Sequence, residues 1–125
     1  MTAAFDIPIR VETFYIEQQS DASANRYVFA YTITIHNNST EQVQLLRRYW
    51  SITDANGKHS EVYGDGVIGE QPELAAGSSY SYTSGAVLET PVGTMQGHYE
   101  MRSQSGIDFN AEIPLFRLAV PRILN

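Results

Sequence analysis

The sequence predicts an all-β protein, a two-layer antiparallel sandwich of about seven strands. Three observations predict it. Apolar residues alternate with period two along most of the chain, and turn-forming clusters separate the runs at short intervals. No stretch carries the i, i+3, i+4, i+7 apolar spacing of an amphipathic helix. The length, 125 residues and 14.0 kDa, suits a single domain spanning 1–125, large enough to bury a core without disulfide or metal staples.

The first strand follows from Ile7, Ile9, Val11, Thr13 and Tyr15, which alternate with Pro8, Arg10, Glu12, Phe14 and Ile16. A small-polar loop, Gln18 to Asn25, leads to the second, where Tyr27, Phe29, Tyr31, Ile33 and Ile35 share one face. Asn37, Asn38, Ser39 and Thr40 form a turn cluster, so the overlapping glycosylation sequons at Asn37 and Asn38 read as chance matches. The third strand runs from about Gln42 to Thr53, with Leu46, Arg48, Trp50 and Ile52 on one face. Asn56-Gly57 then supplies a hairpin turn into His59 to Tyr63. A flexible loop rich in glycine, proline and acid spans Gly64 to Gly77. The later strands are Ser79 to Leu88, Met95 to Ser103 and Ile107 to Ile113, and Phe116 to Pro121 adds a short edge strand. Two apolar residues, Ile123 and Leu124, are too few to mark an interface.

The segment Gly97-His98-Tyr99-Glu100-Met101 favours an immunoglobulin-like or fibronectin-III-like form of the sandwich. A tyrosine at the start of a late strand can turn its hydroxyl onto the backbone of the preceding corner. The cysteine–tryptophan–cysteine core of such domains would be replaced by Ile33 or Ile35, Trp50 and Met101.

Charge and composition exclude several function classes. Fourteen acidic residues against eight basic ones give a net charge of −6, with Lys58 the one lysine. Such a surface repels a phosphate backbone, so no nucleic-acid binding is expected. The absence of cysteine excludes disulfides, thiolate metal sites and thiol nucleophiles. No apolar run reaches the ~20 residues of a membrane helix, and the start lacks the charge and apolar pattern of a secretion signal. The expected compartment is the cytoplasm, with no membrane insertion.

The most tempting motif is Gly64-Asp65-Gly66-Val67-Ile68-Gly69, which fits G-x-G-x-x-G. A dinucleotide site needs a helix next, whereas Glu70-Gln71-Pro72 follows and Asp65 and Glu70 bring negative charge. Two readings remain: glycines that permit positive φ in a crossing loop, or an anion-binding nest of N–H groups with Arg48 or Arg47 as cation. His59, Glu61 and Asp65 are a thin start for a metal site, and His36 and His98 stand alone, so no metal is expected. No Gly-x-Ser-x-Gly or His-Glu-x-x-His motif occurs. Asp65 and Glu70 would need a pocket to act as acid and base. The expectation is no enzyme and no cofactor. Eight tyrosines, including Tyr80 and Tyr82 beside Ser84, suit a protein-binding surface or the tiling of half-exposed strands.

Several spaced blocks carry a family resemblance: Arg47 to Asp54, Gly57, Glu61 to Pro72, Tyr82 to Gly85, Thr90 to Tyr99 and Ile113 to Phe116. Together they resemble the ApaG family, also called CorD, from about Ile9 to Leu118. The resemblance implies a fibronectin-III-like or immunoglobulin-like fold and no agreed catalytic activity. It also implies a link to cobalt tolerance and magnesium efflux, and a role in protein contacts where the domain occurs in F-box and polymerase-delta-interacting proteins. The family's glycine motif, here Gly64, Gly66 and Gly69, has prompted a pyrophosphate-binding suggestion. The resulting expectation is a non-catalytic interaction module. A protein partner would contact Gly64, Asp65, Gly66, Gly69, Glu70 and Arg48, with adjoining strand surfaces. The alternative is a binder of pyrophosphate, a dinucleoside polyphosphate or a divalent cation at the same loop. Without a membrane span, any effect on cation efflux would be indirect.

Overall fold

A computed structural model describes residues 5–121, so the apolar pair Ile123 and Leu124 lies outside the described residues. The period-two runs become β1 (Ile9–Tyr15), β2 (Tyr27–His36), β3 (Val43–Asp54), β4 (His59–Asp65), β6 (Ser79–Leu88), β7 (Val92–Ser103) and β8 (Asp108–Ala119). A short β5 (Glu73–Leu74) lies between β4 and β6. One sheet has the order β1-β2-β6. The other has the order β4-β3-β7-β8, with β5 paired to the start of β3, and all pairings are antiparallel. The fold is therefore the expected all-β sandwich, with eight strands among the described residues rather than about seven.

Four local expectations are corrected. Residues Phe116 to Pro121 do not make a separate strand, because β8 continues through Pro114. Opposite Gln96 the β7–β8 register shifts, with Met95 facing Phe116 and Gly97 facing Ile113, so Pro114 and Leu115 form a bulge. The bulge keeps Ala111, Ile113 and Leu118 on the buried side and accommodates a proline that has no N–H to donate.

The second correction concerns the third strand. Leu45 faces Met101 and Arg47 faces Glu100, leaving Leu46 as an extra residue. Val43 and Leu45 point into the core before this bulge, and Arg48 and Trp50 point inward after it. Leu45, not Leu46, is therefore the core leucine. Third, the small-polar loop from Gln18 to Asn25 contains a 3-10 turn, Ala22–Ala24, and most of a second, Glu17–Gln19, which starts one residue before it.

Fourth, the Tyr99 hydroxyl does not return to a corner backbone. It meets the Tyr82 hydroxyl across the two sheets. The strand begins at Val92, so Tyr99 stands in its middle, far from any corner. Tyr82 is buried on the inner face of β6, with Tyr80 half-buried beside it. Neither tyrosine tiles an outer surface.

Phe29, Ile33, Ile35, Leu45, Met95, Met101 and Leu118 are fully buried between the sheets. Trp50 meets Tyr31 and Phe116 edge-on, at centroid separations of 5.4 and 5.8 Å, the geometry that the ring quadrupole favours. Asn37 is 0% exposed. Its amide donates to the carbonyls of Glu41 and Leu74, and its oxygen accepts from the N–H and hydroxyl of Ser39. It ties the β2–β3 turn to β5, which explains an asparagine there without any sugar.

The two sides of the sandwich differ. β1 lies against β8 and closes one side. On the other side β4 and β6 are free edges, and the three-stranded sheet is one strand too narrow to cover β4.

Candidate functional site

A cleft of about 500 Å³ opens along that uncovered side. Its floor is the inner face of β3 and β4, with Arg48, Trp50, Ile52, Ser60 and Val62. Its upper wall is the free edge of β6 from Ser84 to Leu88. It continues into a smaller space of about 290 Å³, where Tyr82, Asp65, Val67, Ile68 and Gly69 join Tyr31, Arg48, Trp50 and Ser84. The volume falls in the range of ~300–1,000 Å³ usual for binding sites. Three apolar side chains are left in solvent nearby: Ile68 at 59% exposed, Val87 at 54% and Val62 at 39%.

The Gly64–Pro72 segment is firmly tied, contrary to its reading as a flexible loop. The Leu46 carbonyl, turned aside by the bulge, accepts from the Gly66 N–H at 2.8 Å and the Gln71 amide at 2.9 Å. Leu45 N–H donates to the Pro72 carbonyl, and the Gln44 amide to the Gln71 carbonyl. Val67 is buried. Residues Val67 to Glu70 form a two-residue hairpin in which Val67 and Glu70 exchange both N–H···O bonds. Its central residues, Ile68 and Gly69, have φ of 49° and 74°, the mirror-image turn that suits strand twist.

These contacts explain two of the three glycines sterically. A Cβ on Gly66 would stand 2.2 Å from the Glu70 carbonyl oxygen, and Gly66 also has a φ of 60°. A Cβ on Gly64 would press against the Arg48 guanidinium at 3.3 Å. The N–H groups of Gly66, Val67 and Glu70 all donate within the protein, so they are not an open anion cradle. No helix follows them.

Arg48 is the residue that joins the loop to the cleft. Its Nη1 donates to the carbonyls of Asp65 and Gly66 at 2.8 and 2.9 Å. The guanidinium is half-buried and, among the described residues, takes part in no salt bridge. Burial pushes the Tyr31 phenol above its ordinary value, while the Ser84 hydroxyl and the Arg48 charge pull it down. Burial pushes Tyr82 and Tyr99 upward as well. The phenols lining the cleft therefore stay neutral, and Arg48 is the cation of its inner end.

The other predicted cation, Arg47, lies on the opposite face of β3. Its Nε donates to Glu100 at 2.6 Å, and Glu100 also accepts from the Tyr63 hydroxyl at 2.7 Å. These partners, with His98 at 3.4 Å, lower the Glu100 carboxyl to about 2. Tyr49 stacks on His98 and donates to Glu61 at 2.6 Å. His59 meets the Ser51 hydroxyl, and His36 meets that of Ser79. The contacts on β3, β4 and β7 form a cross-strand ladder, and the His36–Ser79 pair lies on the other sheet; the sequence carries only their individual histidines and acids. Residues i, i+2 on strands that pair only after folding carry no joint signal. Asp65 and Glu70 are both exposed, and no group of three metal-ligating residues gathers among the described residues. No helix among them is long and apolar enough to cross a membrane.

The family model for the ApaG domain matches residues 17–103. Protein ApaG of Proteus mirabilis is 57% identical over 125 residues, covering 100% of both chains. Protein ApaG of Escherichia coli is 56% identical over 117 residues, 94% of each chain. A Bordetella pertussis protein crystallised under the name ApaA is 44% identical, with a TM-score of 0.92 over 95% of this chain and 97% of its own. The backbone thus follows a fold seen experimentally. The chain belongs to the ApaG family.

Proposed function

We propose that the chain is a non-catalytic interaction module of the cytoplasm, binding a segment of a protein partner along the β4–β6 side. The observation that carries this reading is the cleft itself. It has a floor in which Trp50, Ile52 and Val62 flank Arg48 and Ser60, three apolar side chains (Val62, Ile68 and Val87) left in water, and a tied loop forming one end. Exposed apolar side chains grouped around a concave surface are a mark of interaction sites. The phenols of the cleft are neutral, and its carboxylates, Asp54 and Glu89 at one end and Asp65 at the other, have no histidine beside them in the lining, which favours recognition over bond-breaking chemistry. Lack of cysteine fits a reducing compartment. The alternative, pyrophosphate or a cation at the glycine motif, has less support: the N–H groups of Gly66, Val67 and Glu70 already donate within the protein, and no group of three metal-ligating residues gathers among the described residues. Any influence on cobalt or magnesium handling would act through the partner.

A photo-crosslinking amino acid placed singly at Val62, Ile68, Val87 and Leu115 in living cells tests the reading. Leu115 is equally exposed, at 59%, but lies in the β8 bulge on the closed side. The expected result is one common adduct from the first three positions and none from Leu115. Adducts from Leu115 alone, or from no position, would contradict it.

A further inference from the structure

We propose that the cleft accepts an extended peptide segment as a fourth strand on the free edge of β6, with one acidic side chain of that segment paired to Arg48. This rests on the interaction-module reading and specifies its partner. Three independent features point to it.

The first is the mismatch of the layers. Three strands face a sheet whose continuous order has four, and the uncovered strand is β4. A strand hydrogen-bonded beyond β6 would lie above the inner face of β4 and cover Ser60, Val62 and Ile52. Stacked sheets stand ~10 Å apart and neighbouring strands ~4.8 Å apart, so one added strand fills one missing position.

The second is the chemistry of the β6 edge. Its ten residues, Ser-Tyr-Ser-Tyr-Thr-Ser-Gly-Ala-Val-Leu, contain no charge, no proline and no bulge. Free edges normally carry such features to prevent pairing with another chain. The opposite edge, β4, carries His59, Glu61 and Asp65. The β8 edge carries Pro114 in a bulge, with Asp108, Glu112 and Arg117. β6 is thus the edge left open to strand addition, a recurrent mode of peptide recognition.

The third is Arg48. The Leu46 bulge turns it inward, the absent Cβ of Gly64 makes room for it, and two backbone carbonyls hold its Nη1. Those carbonyls leave its other N–H groups available for a carboxylate, which they can grip in a charge-assisted fork. A second copy of this chain pairing β6 to β6 would bring no acid to Arg48, since β6 has none. The occupant is therefore a foreign segment with apolar and acidic residues alternating on its inner face.

The test is selection of a displayed library of random ten-residue peptides against the full chain. The best binder is then measured by calorimetry and amide hydrogen exchange. Selected peptides are expected to share an acidic residue at one register position, and the bound peptide to slow exchange along β6. Replacing that acid by its amide, or making Arg48→Gln, should each weaken binding at least tenfold. Combining the two should add little further loss. Ala86→Lys, which puts an inward lysine on the rim, should abolish binding while the melting temperature holds.

Binders without an acidic position, equal affinity for the amide peptide, or protection away from β6 would overturn the proposal. So would an empty selection, or a self-dimer that Ala86→Lys dissolves. If crosslinking at Val62, Ile68 and Val87 still finds a common partner while these results fail, the module stands and strand addition falls. If both fail, both are wrong.

Discussion

Asn37 shows how much one polar side chain can hold when all of its hydrogen-bonding capacity is used. Its amide supplies donors to two main-chain carbonyls from different parts of the chain, Glu41 and Leu74, and its oxygen orders Ser39. Truncation would strand those carbonyls in a water-poor interior. We expect Asn37→Ala to lower unfolding stability by about 2–4 kcal/mol in urea titration, given ~1–3 kcal/mol for each buried group left unsatisfied. Among the described residues the side chain of the neighbouring Asn38 reaches only the exposed Asp6 carboxylate, so Asn38→Ala should change stability by less than about 0.5 kcal/mol. Similar losses for the two would contradict the assignment. Gly97 is a residue of the same kind. A Cβ there would lie 1.9 Å from the Tyr49 carbonyl oxygen, so β7 approaches β3 as closely as it does because the side chain is absent.

Strands supply what single residues cannot, a fixed spacing between side chains distant in sequence. On the outer face of β3, β4 and β7, Arg47, Tyr63 and His98 converge on Glu100. Its carboxyl is held at about 2 against an ordinary value of 4.5. A depressed carboxyl stabilises the fold above its unfolded pKa, and that stability fades as pH falls toward the folded value. Stability should therefore drop between about pH 5 and pH 2, and Glu100→Gln should make that drop shallower in chemical denaturation across pH. An unchanged slope would show that the ladder is not formed in solution.

The elements also show where the sequence was readable. Alternation placed the long strands closely, and the turn into β4 was plain because Gly57 takes a φ of 81°, although Asn56 beside it keeps a negative φ and the loop is longer than a two-residue turn. The bulges at Leu46 and at Pro114–Leu115 were not readable. A bulge arises from the register of two strands, and neither strand encodes it alone. The same limit applied to Tyr99, whose hydroxyl partner sits on the other sheet. Of the candidate site residues, Arg48, Asp65, Gly66 and Gly69 do come together. The role of Gly64 is to make room for Arg48. The edge of β6 and its facing floor on β4 went unseen, because free edges appear only once strand order is known.

At the scale of the whole molecule, one asymmetry organises the rest. β1 against β8 seals one side, whereas β6 and β4 leave the other open over a floor containing Trp50 and Arg48. The central claim is that partners are met on the open side. Hydrogen–deuterium exchange of the full chain, free and bound to the partner found by crosslinking, tests it most directly. Slower exchange in β4, β6 and residues 64–72, with β1 and β8 unchanged, is the predicted result. Protection concentrated in β1 and β8, with the β4–β6 side exchanging as in the free protein, would contradict it.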